Sequence, residues 1–417
     1  MSDVVVVGAG LAGLTVAVRC AEAGAKVTVL AKGVGSTHLG PGTIDVLGYM
    51  PDRVDAPGEA IEALEAGHPY ATIGSEGVWN GVHWLREQFA APAAPLPGYH
   101  FHGDLSANHL MPTAVGAAKP TAVVPVTMLA GDLRETNPAR PILVAGFRAL
   151  KDFYPDFLAD NLRRAGHEAR AVTLRSVPER RADASPIAFA RAFDDAGWRD
   201  RLATELRGHL KAGDARIALP AVLGQEDPAG VWRDLQDKLG HDVFEVPTLP
   251  PSVAGIRVYR TLRDALRRAG GRIVINAQAV GAERENGRVT GVRAVASQRE
   301  RTYDARWVVL ASGGWASGGL ELDSAWAARE TVFGLPLAHL PEPGAPRFTP
   351  GYFDEQPLAR AGVAVDAAMR PVDGDAENLL VCGATVGGAA AWREKSGDGI
   401  SVATGYAASE TILKEAT

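Results

Sequence analysis

The sequence predicts a mixed α/β fold built around a parallel, Rossmann-like sheet, with a second α/β region inserted into it. The first observation is a β-branched run at Val4–Val7, which is followed by glycines and then by apolar residues at helical spacing. The second is an alternation of strand and helix patterns that begins at residue 141 and continues to about residue 250. The third is the return, after residue 250, of apolar strands that end in glycine. Alternating strands and helices are typical of parallel sheets.

These patterns divide the chain into one domain made of two parts and an insert. Residues 1–84 and 251–417 are expected to form the two parts of a nucleotide-binding domain. Residues 85–250 are expected to form an inserted α/β cap domain with its own small parallel sheet. A chain of 417 residues is long enough for two or three lobes, each with a core.

Several connecting segments also have a recognisable pattern. Residues 33–75 are rich in Gly, Pro and Thr and predict a long loop rather than a helix. Residues 76–92 predict a helix, and residues 93–140 predict mostly extended structure. The pattern at Tyr259–Ala269 predicts a helix, and the polar run RERTYDAR at Arg299–Arg306 predicts a solvated turn.

Composition excludes some classes of function. The net charge is −6 and no basic stripe is present, so nucleic acid is not an expected partner. The two cysteines, Cys20 and Cys382, are too few to bind an iron–sulfur cluster or a structural zinc ion, and no metal site is expected. Their scarcity favours a reducing, cytoplasmic location. Neither a secretory leader nor a transmembrane stretch is expected, so membrane association would need a partner.

A glycine-rich turn, GAGLAG, joins the first strand to the first helix. Gly8 permits the tight turn, Gly10 lets a phosphate approach the backbone, and Gly13 lets the helix pack against the strand. The start of the helix directs N–H groups and a partial positive charge at the phosphate. The turn therefore predicts nucleotide or flavin binding. The candidate contacts at this turn are Gly8, Gly10, Leu11, Ala12 and Gly13.

Three later segments favour flavin over nicotinamide. They are WVVLASGGWASGG at Trp307–Gly319, NLLVCGATVGG at Asn378–Gly388, and GDGISVATGYAASETI at Gly397–Ile412. Together with the first turn they resemble the two-dinucleotide-type flavoproteins, especially the succinate dehydrogenase and fumarate reductase type. The alternative is that the glycines only allow close packing at strand ends. The candidate flavin contacts in these segments are Ala311, Ser312, Gly313, Gly383, Gly387, Gly388, Gly399 and Ile400.

That resemblance implies a three-layer β-β-α flavin-binding domain formed by residues 1–84 and 251–417. It also implies that the N-terminus of the last helix faces the pyrimidine end of the isoalloxazine ring. The helix dipole would then stabilise negative charge on the reduced flavin.

A closer resemblance involves the middle of the chain. PTLPPSVAGIRV at Pro247–Val258 and VLASGGWASGGL at Val309–Leu320 resemble the B subunit of the anaerobic glycerol-3-phosphate dehydrogenase. The segments at Gly33–Leu47 and Val144–Leu162 are similar to it too, so the resemblance spans nearly the whole chain. The PTLPPS stretch is much more specific than the glycine turn.

This resemblance implies an oxidoreductase of anaerobic respiration that works in a complex. The expected reaction oxidises sn-glycerol 3-phosphate to dihydroxyacetone phosphate and passes the electrons to membrane quinone. The expected partners are a flavin-bearing catalytic A subunit, together with an iron–sulfur C subunit that anchors the complex to the membrane. Two alternatives stay open: a non-catalytic subunit for electron relay and assembly, and a stand-alone enzyme similar to fumarate reductase.

The second strand bears on the identity of the flavin. It ends in Ala31-Lys32, where a carboxylate would bind the adenosine ribose. Loss of that charge-assisted hydrogen bond costs about 1.5–3 kcal/mol, or roughly ten- to 150-fold in affinity, which a tight FAD site survives. FMN has no adenosine half, and its phosphate would bind the glycine turn with Lys32 as the counter-charge. We therefore expect FMN, with FAD as the alternative.

Candidates near the reacting centre lie in the loop after the second strand. Ser36, Thr37 and His38 stand where related flavoproteins pass a loop by the flavin. His38 is a candidate catalytic residue, as a hydrogen-bond donor to the flavin or as a proton relay. The alternative is a loop histidine in ordinary hydrogen bonds. Gly42 and Thr43 are candidate donors near the flavin ring.

The second candidate catalytic residue is Arg257, which follows the PTLPPS motif and would bind a phosphate or an anionic flavin. The alternative is a salt bridge at the start of a helix. Arg347 and Lys119 are weaker candidates for the same cleft.

Overall fold

The structure is a computed structural model that describes residues 2–134, 140–178, 183–351 and 353–415. It divides into two compact units. Unit 1 comprises Met1–Ser36, Asp45–Leu85 and Leu262–Thr417, and unit 2 comprises Thr37–Ile44 and Arg86–Thr261. Unit 2 therefore includes residues 37–44 and 251–261, which the predicted division assigned to the flavin-binding domain. That the units are a flavin-binding domain and a cap domain stays a prediction.

The strands, numbered along the chain, are β1 Ser2–Val7, β2 Val27–Ala31, β3 Tyr49–Met50, β4 Asp52–Arg53, β5 Phe101–His102, β6 His109–Pro112, β7 Ala118–Thr121, β8 Val124–Pro125, β9 Ile142–Phe147, β10 Ala169–Leu174, β11 Arg216–Pro220, β12 Asp242–Val246, β13 Arg272–Ile275, β14 Ala277–Glu285, β15 Arg288–Ala296, β16 Arg299–Leu310, β17 Leu320–Leu322, β18 Ala328–Glu330 and β19 Leu379–Val381. The α-helices are α1 Leu11–Glu22, α2 Pro57–Ile61, α3 Pro69–Ala90, α4 Pro155–Arg164, α5 Pro186–Asp194, α6 Ala196–Arg207, α7 Pro228–Leu239, α8 Val253–Arg268, α9 Ala391–Glu394 and α10 Gly397–Glu415.

The main sheet of unit 1 has the strand order β13-β2-β1-β16-β15-β14, with β19 also paired to β16. Strands β13, β2, β1, β16 and β19 run parallel, whereas β14, β15 and the first part of β16 form an antiparallel meander. β1 lies between β2 and β16, so Val4–Val6 are fully buried, which explains their unbroken apolar run. The predicted mixed α/β fold with a parallel sheet is confirmed.

Unit 2 contains a second parallel sheet, in the order β10-β9-β11-β12. The predicted small parallel sheet of the insert is therefore present. Its core is apolar and aromatic, because Phe147, Phe189, Phe193 and Trp198 pack together between the sheet and its helices. Unit 2 also contains two short antiparallel ribbons, β5-β8 and β6-β7. Within residues 93–140 the predicted extended structure takes this form, and residues 135–139 lie outside the described residues.

The polar run Arg299–Arg306 is not a turn, as predicted, but the first part of β16. It pairs with β15 in antiparallel register, for example Val292 with Tyr303 and Ala294 with Arg301. Residues 299–302 and 304 are exposed, and polar side chains are therefore compatible with this part of the strand. The sequence pattern is misleading here because a strand exposed on both faces carries no apolar alternation.

The predicted helices at residues 76–92 and Tyr259–Ala269 are present, but both begin earlier than predicted. The loop predicted for residues 33–75 contains α2 and the first residues of α3, where Pro57 and Pro69 each occupy the first helical position. Gly74, with φ of 78°, interrupts α3 near the predicted start of that helix. α8 begins at Val253 rather than Tyr259, because the Ser252 hydroxyl caps it by accepting a hydrogen bond from the Gly255 N–H (3.0 Å).

Candidate functional site

The glycine-rich turn of unit 1 has the geometry that its sequence predicts. Gly8 has φ of +115°, and a Cβ there would stand less than 3.0 Å from the Ala311 carbonyl. A Cβ on Gly13 would likewise collide with the carbonyl of Gly8, so the helix packs directly on the turn. A Cβ on Gly10 would meet nothing within 4 Å. Gly10 thus borders open space at the start of α1, where no side chain caps the helix.

This arrangement suits a phosphate. The first N–H groups of an α-helix have no partner within the helix, and here Leu11, Ala12 and Gly13 supply them. The helix dipole adds a partial positive charge at the same place. The open face at Gly10 therefore fits the phosphate tail of a flavin nucleotide.

The second strand ends as the sequence indicates. Ala31 is buried at the end of β2, and Lys32 follows it with an exposed side chain. Gly35 packs so closely on Gly10 that a Cβ there would stand less than 3.0 Å from the Gly10 Cα. The loop after β2 thus returns to the glycine turn, which places Lys32 and Ser36 in the segment that borders it. The proposed roles of Lys32 and Ser36 stay predictions.

The ends of β16 and β19 form the next part of the site. Ala311 continues the sheet by donating its N–H to the Val7 carbonyl (2.8 Å). Ser312 and Gly313 then contact Thr385, whose hydroxyl donates to the Gly313 carbonyl (3.1 Å). The sequence predicted the glycines here, but the contact with Thr385 depends on the folded sheet.

Gly383 connects this region to the last helix. It has φ of +75°, and a Cβ would stand less than 3.0 Å from the Ala12 Cβ. Its N–H donates to the Thr404 hydroxyl of α10 (2.8 Å). A Cβ on Gly405 would also collide with the Ala12 carbonyl, so α10 packs tightly against α1. These contacts bring the glycine turn, the end of β19 and α10 into one region of unit 1.

The remaining candidate amides of this region are already used within the chain. Gly387 and Gly388 donate their N–H groups to the carbonyls of Val363 and Arg360. Gly399 donates to the Asp45 carbonyl (2.9 Å), and Ile400 donates to the carbonyl of Ser396, just before α10 (2.8 Å). At these positions the chain offers a helix dipole and close backbone packing rather than free N–H donors. Their assignment as flavin contacts stays a prediction.

A buried polar network, which the sequence analysis missed, holds the start of α10. Nδ1 of His68 accepts from the Tyr70 N–H (3.1 Å), and therefore Nε2 carries the proton that is directed at Glu394 (3.2 Å). The Tyr70 hydroxyl lies 2.8 Å from the Val46 carbonyl and 3.2 Å from the Ser396 carbonyl. Burial raises the pKa of Tyr70 well above its ordinary value. His68 and Glu394 also line a cavity of about 730 Å³.

In unit 2 the loop Thr37–Ile44 packs against the first turns of α8. Ser252 donates its N–H to the His38 carbonyl (3.0 Å), and the His38 ring meets the Tyr259 ring edge-on at 4.6 Å. A Cβ on Gly255 would collide with the Thr37 carbonyl. The PTLPPS motif thus has a structural role, because it leads directly into α8, the helix that fixes this loop.

The other loop candidates are held equally closely. Gly42 has φ of +83° and lies against Ala254, where a Cβ would collide. Thr43 is buried, and its hydroxyl accepts from Nζ of Lys119 (3.0 Å). Lys119 is thus paired with Thr43, and that it lines a cleft stays a prediction. The Thr37 hydroxyl is buried with no hydrogen-bond partner among the described residues, so it offers an unused donor to a bound group.

Arg257 occupies the salt bridge that the sequence analysis left open as its alternative. Its side chain is 1% exposed and that of Glu245 is 0% exposed. The guanidinium donates to both carboxylate oxygens of Glu245 (2.7 and 3.1 Å) and to the Gly224 carbonyl (2.8 and 3.2 Å). The charge of Glu245 raises the pKa of Arg257, although burial opposes this. A guanidinium enclosed in this way does not face a ligand.

Arg347 also has an internal partner, since its Nη1 donates to the Pro341 carbonyl (3.1 Å). Both cysteines are buried, and burial raises the pKa of each thiol to about 12. Over the described parts of the chain, no group of three or more His, Cys, Asp or Glu side chains is arranged to hold a metal ion. Within the same residues, no helix combines the length and apolarity needed to cross a bilayer.

Comparisons with known proteins agree with the flavin or nucleotide binding that the glycine turn indicates. The family model described as FAD binding domain matches residues 3–400. The B subunit of the probable anaerobic glycerol-3-phosphate dehydrogenase of Halobacterium salinarum is 37% identical, over 98% of this chain and 96% of its own length. The B subunit of the anaerobic glycerol-3-phosphate dehydrogenase of Yersinia pestis is 30% identical, over 99% of this chain and 98% of its own.

Solved structures give a weaker similarity. A variant of the quinol fumarate reductase of E. coli is 11% identical with a TM-score of 0.43, and the match covers 100% of this chain and 70% of that one. This likeness is too low to bear on substrate or mechanism. The family model and the relatives that align from end to end are sufficient on their own: the chain belongs to the FAD binding domain family, and within it to the B subunits of anaerobic glycerol-3-phosphate dehydrogenase.

Proposed function

We propose that this chain is the flavin-containing B subunit of an anaerobic glycerol-3-phosphate dehydrogenase complex. The complex would oxidise sn-glycerol 3-phosphate to dihydroxyacetone phosphate and pass the electrons to membrane quinone. The observation that supports this best is the 37% identity to a B subunit over 98% of the chain. Its partners would be a flavin-bearing catalytic A subunit, together with an iron–sulfur C subunit that gives the complex a peripheral membrane location.

A bound flavin would supply an acceptor for the hydride that leaves C2 of the substrate. The chain's own contribution begins at the turn Gly8–Gly13, which binds the phosphate tail through the first N–H groups of α1. α10 contributes its positive dipole end, and the His68–Glu394–Tyr70 network holds that end in place.

In unit 2, His38 is the candidate for taking the hydroxyl proton of the substrate. Its Nε2 is buried, and the edge-on Tyr259 ring fixes the orientation of the imidazole. The Thr37 hydroxyl and the Thr43–Lys119 pair would add hydrogen-bond donors beside it. Arg257 acts on this loop through α8 and is a positioning residue rather than a catalytic one.

The oxidation takes place either on this chain or on its catalytic partner, the A subunit, with this chain relaying electrons. Anaerobic stopped-flow spectroscopy of the isolated chain separates these two classes. Bleaching of the flavin band on addition of glycerol 3-phosphate would show that this chain is itself a dehydrogenase. Bleaching only in the presence of the catalytic partner would show a relay. A purified chain that is colourless and takes up no flavin would contradict both.

A stand-alone enzyme similar to fumarate reductase is the less favoured function. It needs several arginines around the reacting centre, and the sequence offers Arg257 and Arg347 for that role. The first is enclosed by Glu245 and Gly224, and the second is bonded to the Pro341 carbonyl. The guanidinium of Arg257 is thus unavailable to bind a dicarboxylate, which leaves Arg347 alone for that role.

The bound flavin is proposed to be FMN, with FAD as the second candidate. FMN is favoured by the absence of a carboxylate at Ala31 and by the exposed Lys32. FAD is favoured by the family model, whose description names that cofactor. Heat release of the flavin followed by chromatography distinguishes them, and a stoichiometric FAD peak would overturn the FMN assignment.

An engineered carboxylate gives an independent test. If the adenosine ribose lies at the end of β2, Ala31→Glu should tighten FAD roughly tenfold and leave FMN unchanged. If the site holds FMN, Lys32→Ala should weaken binding by several-fold through loss of the counter-charge. A matched Lys26→Ala variant, on the opposite end of β2, should do neither.

A further inference from the structure

Unit 1 contains a cavity of about 730 Å³ to which the proposed function assigns no ligand. Its lining comes from within residues 49–51, 63–68, 353–360 and 390–395, which all belong to this unit. Ligand sites in proteins commonly have volumes of about 300–1,000 Å³, so this cavity is large enough for a small organic molecule.

Much of the cavity wall is apolar or aromatic. Tyr49, Met50, Leu64 and Trp392 contribute large side chains to it. Trp392 is 38% exposed, and Phe353, which also lines the cavity, is 81% exposed. Aromatic faces that the fold leaves partly uncovered are favourable contacts for another flat ring.

The described residues of the lining carry no net charge. Their charged side chains are three cations and three carboxylates: Arg360, Arg393, Lys395, Glu65, Glu355 and Glu394. His68 adds no charge, because its Nδ1 accepts a hydrogen bond from the Tyr70 N–H (3.1 Å) and therefore carries no proton. A charged ligand would thus gain no net Coulomb attraction from the lining, which favours a neutral one.

The buried carboxylate of the lining already has its hydrogen-bond donors. Glu394 accepts from Nε2 of His68 (3.2 Å), from the Ser396 hydroxyl (2.8 Å) and from a backbone N–H (2.7 Å). The side chains of Glu394 and His68 are only 13% and 4% exposed. The other two carboxylates, Glu65 and Glu355, belong to exposed residues, where water satisfies them. The inner wall therefore needs no donor from a ligand.

The inner wall does have donors to spare. Nζ of Lys395, which is partly buried, donates to the Trp392 carbonyl (2.7 Å), and this uses one of its three N–H groups. Lys395 has φ of 53° just after α9, at a position where glycine is usual. Backbone strain of this kind is concentrated at functional sites. The guanidinium of Arg393, on the same lining, makes no ion pair or hydrogen bond within the part of the chain that the structure describes.

We propose that this cavity binds a neutral, flat, conjugated ring compound that carries a carbonyl group. The ring lies against Trp392, and the carbonyl oxygen accepts a hydrogen bond from Nζ of Lys395, with Arg393 as a second donor. The glycine turn at Gly8–Gly13 does not contribute to the lining, so the site is separate from the proposed phosphate cradle. It also does not depend on the proposed function.

Equilibrium dialysis of the purified full chain, with whatever flavin it carries, tests this site. The probes are duroquinone, the dimethyl ether of its hydroquinone, which has a similar ring but no carbonyl, and mesitoate, which is an anion. Wild-type protein should bind duroquinone about tenfold more tightly than either other probe. Lys395→Met should remove most of that preference, whereas Lys395→Arg, which keeps a donor, should retain part of it. Trp392→Leu should weaken duroquinone and the ether alike, by several-fold.

The matched control is Lys151→Met, because Lys151 is an exposed lysine of unit 2 that does not line the cavity. It should change none of the affinities, and far-ultraviolet circular dichroism should show that every variant is folded. Equal binding of the three probes, no binding of duroquinone, or an unchanged preference in Lys395→Met would overturn the proposal. Release of bound flavin by duroquinone would also overturn it, because the probe would then occupy the flavin site. A chain that carries no flavin but shows the predicted preference would refute the proposed function and leave this site intact.

Discussion

The buried pair of Arg257 and Glu245 gives the sharpest prediction about stability. Both side chains are almost completely shielded, and the guanidinium makes two bonds to the carboxylate and two to the Gly224 carbonyl. Arg257→Met removes all four and leaves a buried carboxylate whose remaining donors are Thr127 (2.6 Å) and the Leu223 N–H (2.8 Å). Leaving one member of a buried pair without its partner costs about 3–5 kcal/mol. That is a large fraction of a typical folding free energy of about 5–15 kcal/mol.

The coupling free energy between Arg257 and Glu245 is measured with a double-mutant cycle, in which urea unfolding gives the stability of each variant. Glu245→Gln should also cost about 3–5 kcal/mol, because it leaves a buried guanidinium that cannot neutralise. The double variant with Arg257→Met removes both charges, while the Gln oxygen still accepts from the Leu223 N–H and its NH2 group can donate to the Thr127 hydroxyl. Its loss of unfolding free energy should therefore be smaller, by at least about 2 kcal/mol, than the sum of the losses in the two single variants. Additive costs, or a cost of Arg257→Met below about 1 kcal/mol, would refute this account of the pair.

The same pair should affect the loop Thr37–Ile44, because Arg257 lies in α8, whose first turn packs against that loop. Arg257 lies two residues after Gly255, which contacts the Thr37 carbonyl, and five after Ser252, which binds the His38 carbonyl. At temperatures where Arg257→Met is still folded, limited proteolysis should cut the segment 37–44 faster than in wild-type protein. Arg257→Lys should restore resistance in part, since a lysine keeps the charge but not the bidentate geometry. Equal cleavage rates would show that α8 does not need the pair to hold the loop.

Three further predictions follow from single sites. Gly10→Ala should fold normally but bind flavin at least tenfold more weakly, because its methyl group would enter the open space proposed for the phosphate. Gly13→Ala should instead be less stable, because its methyl group collides with the Gly8 carbonyl. Flavin titration measures the first effect and thermal unfolding the second. Burial opposes ionisation of Glu394, but its hydrogen bond with His68 lowers its pKa below 4.5. The stability that this carboxylate contributes is therefore complete above about pH 4.5 and is lost as the pH falls through the lower pKa of the folded state. Glu394→Gln should make the free energy of unfolding, measured with urea, less dependent on pH in this acid range. Cys20 and Cys382, whose pKa values burial raises to about 12, should resist iodoacetamide at pH 8 until the chain is unfolded, and rapid labelling of the native chain would contradict their burial.

Prediction from sequence succeeded where structure depends on neighbours along the chain. The turn at Gly8–Gly13 is one example, because an apolar strand, three glycines and a helical pattern fall within one short stretch. The glycines that end β16 and β19 are another. At such places only glycine tolerates the positive φ or the close backbone approach, so the residue type itself reports the geometry.

The sequence by itself determined the α/β class, the glycine turn at the start of α1 and the family, since each depends on local patterns of apolar residues and glycines. Only the tertiary structure decided what the charged side chains do. Glu245 encloses Arg257 instead of leaving it to a ligand, and His68 meets Glu394 across 326 positions of the chain. A charge has no preferred partner at a fixed sequence spacing, and its role depends on what the folded backbone places within a few ångströms of it and shields from water.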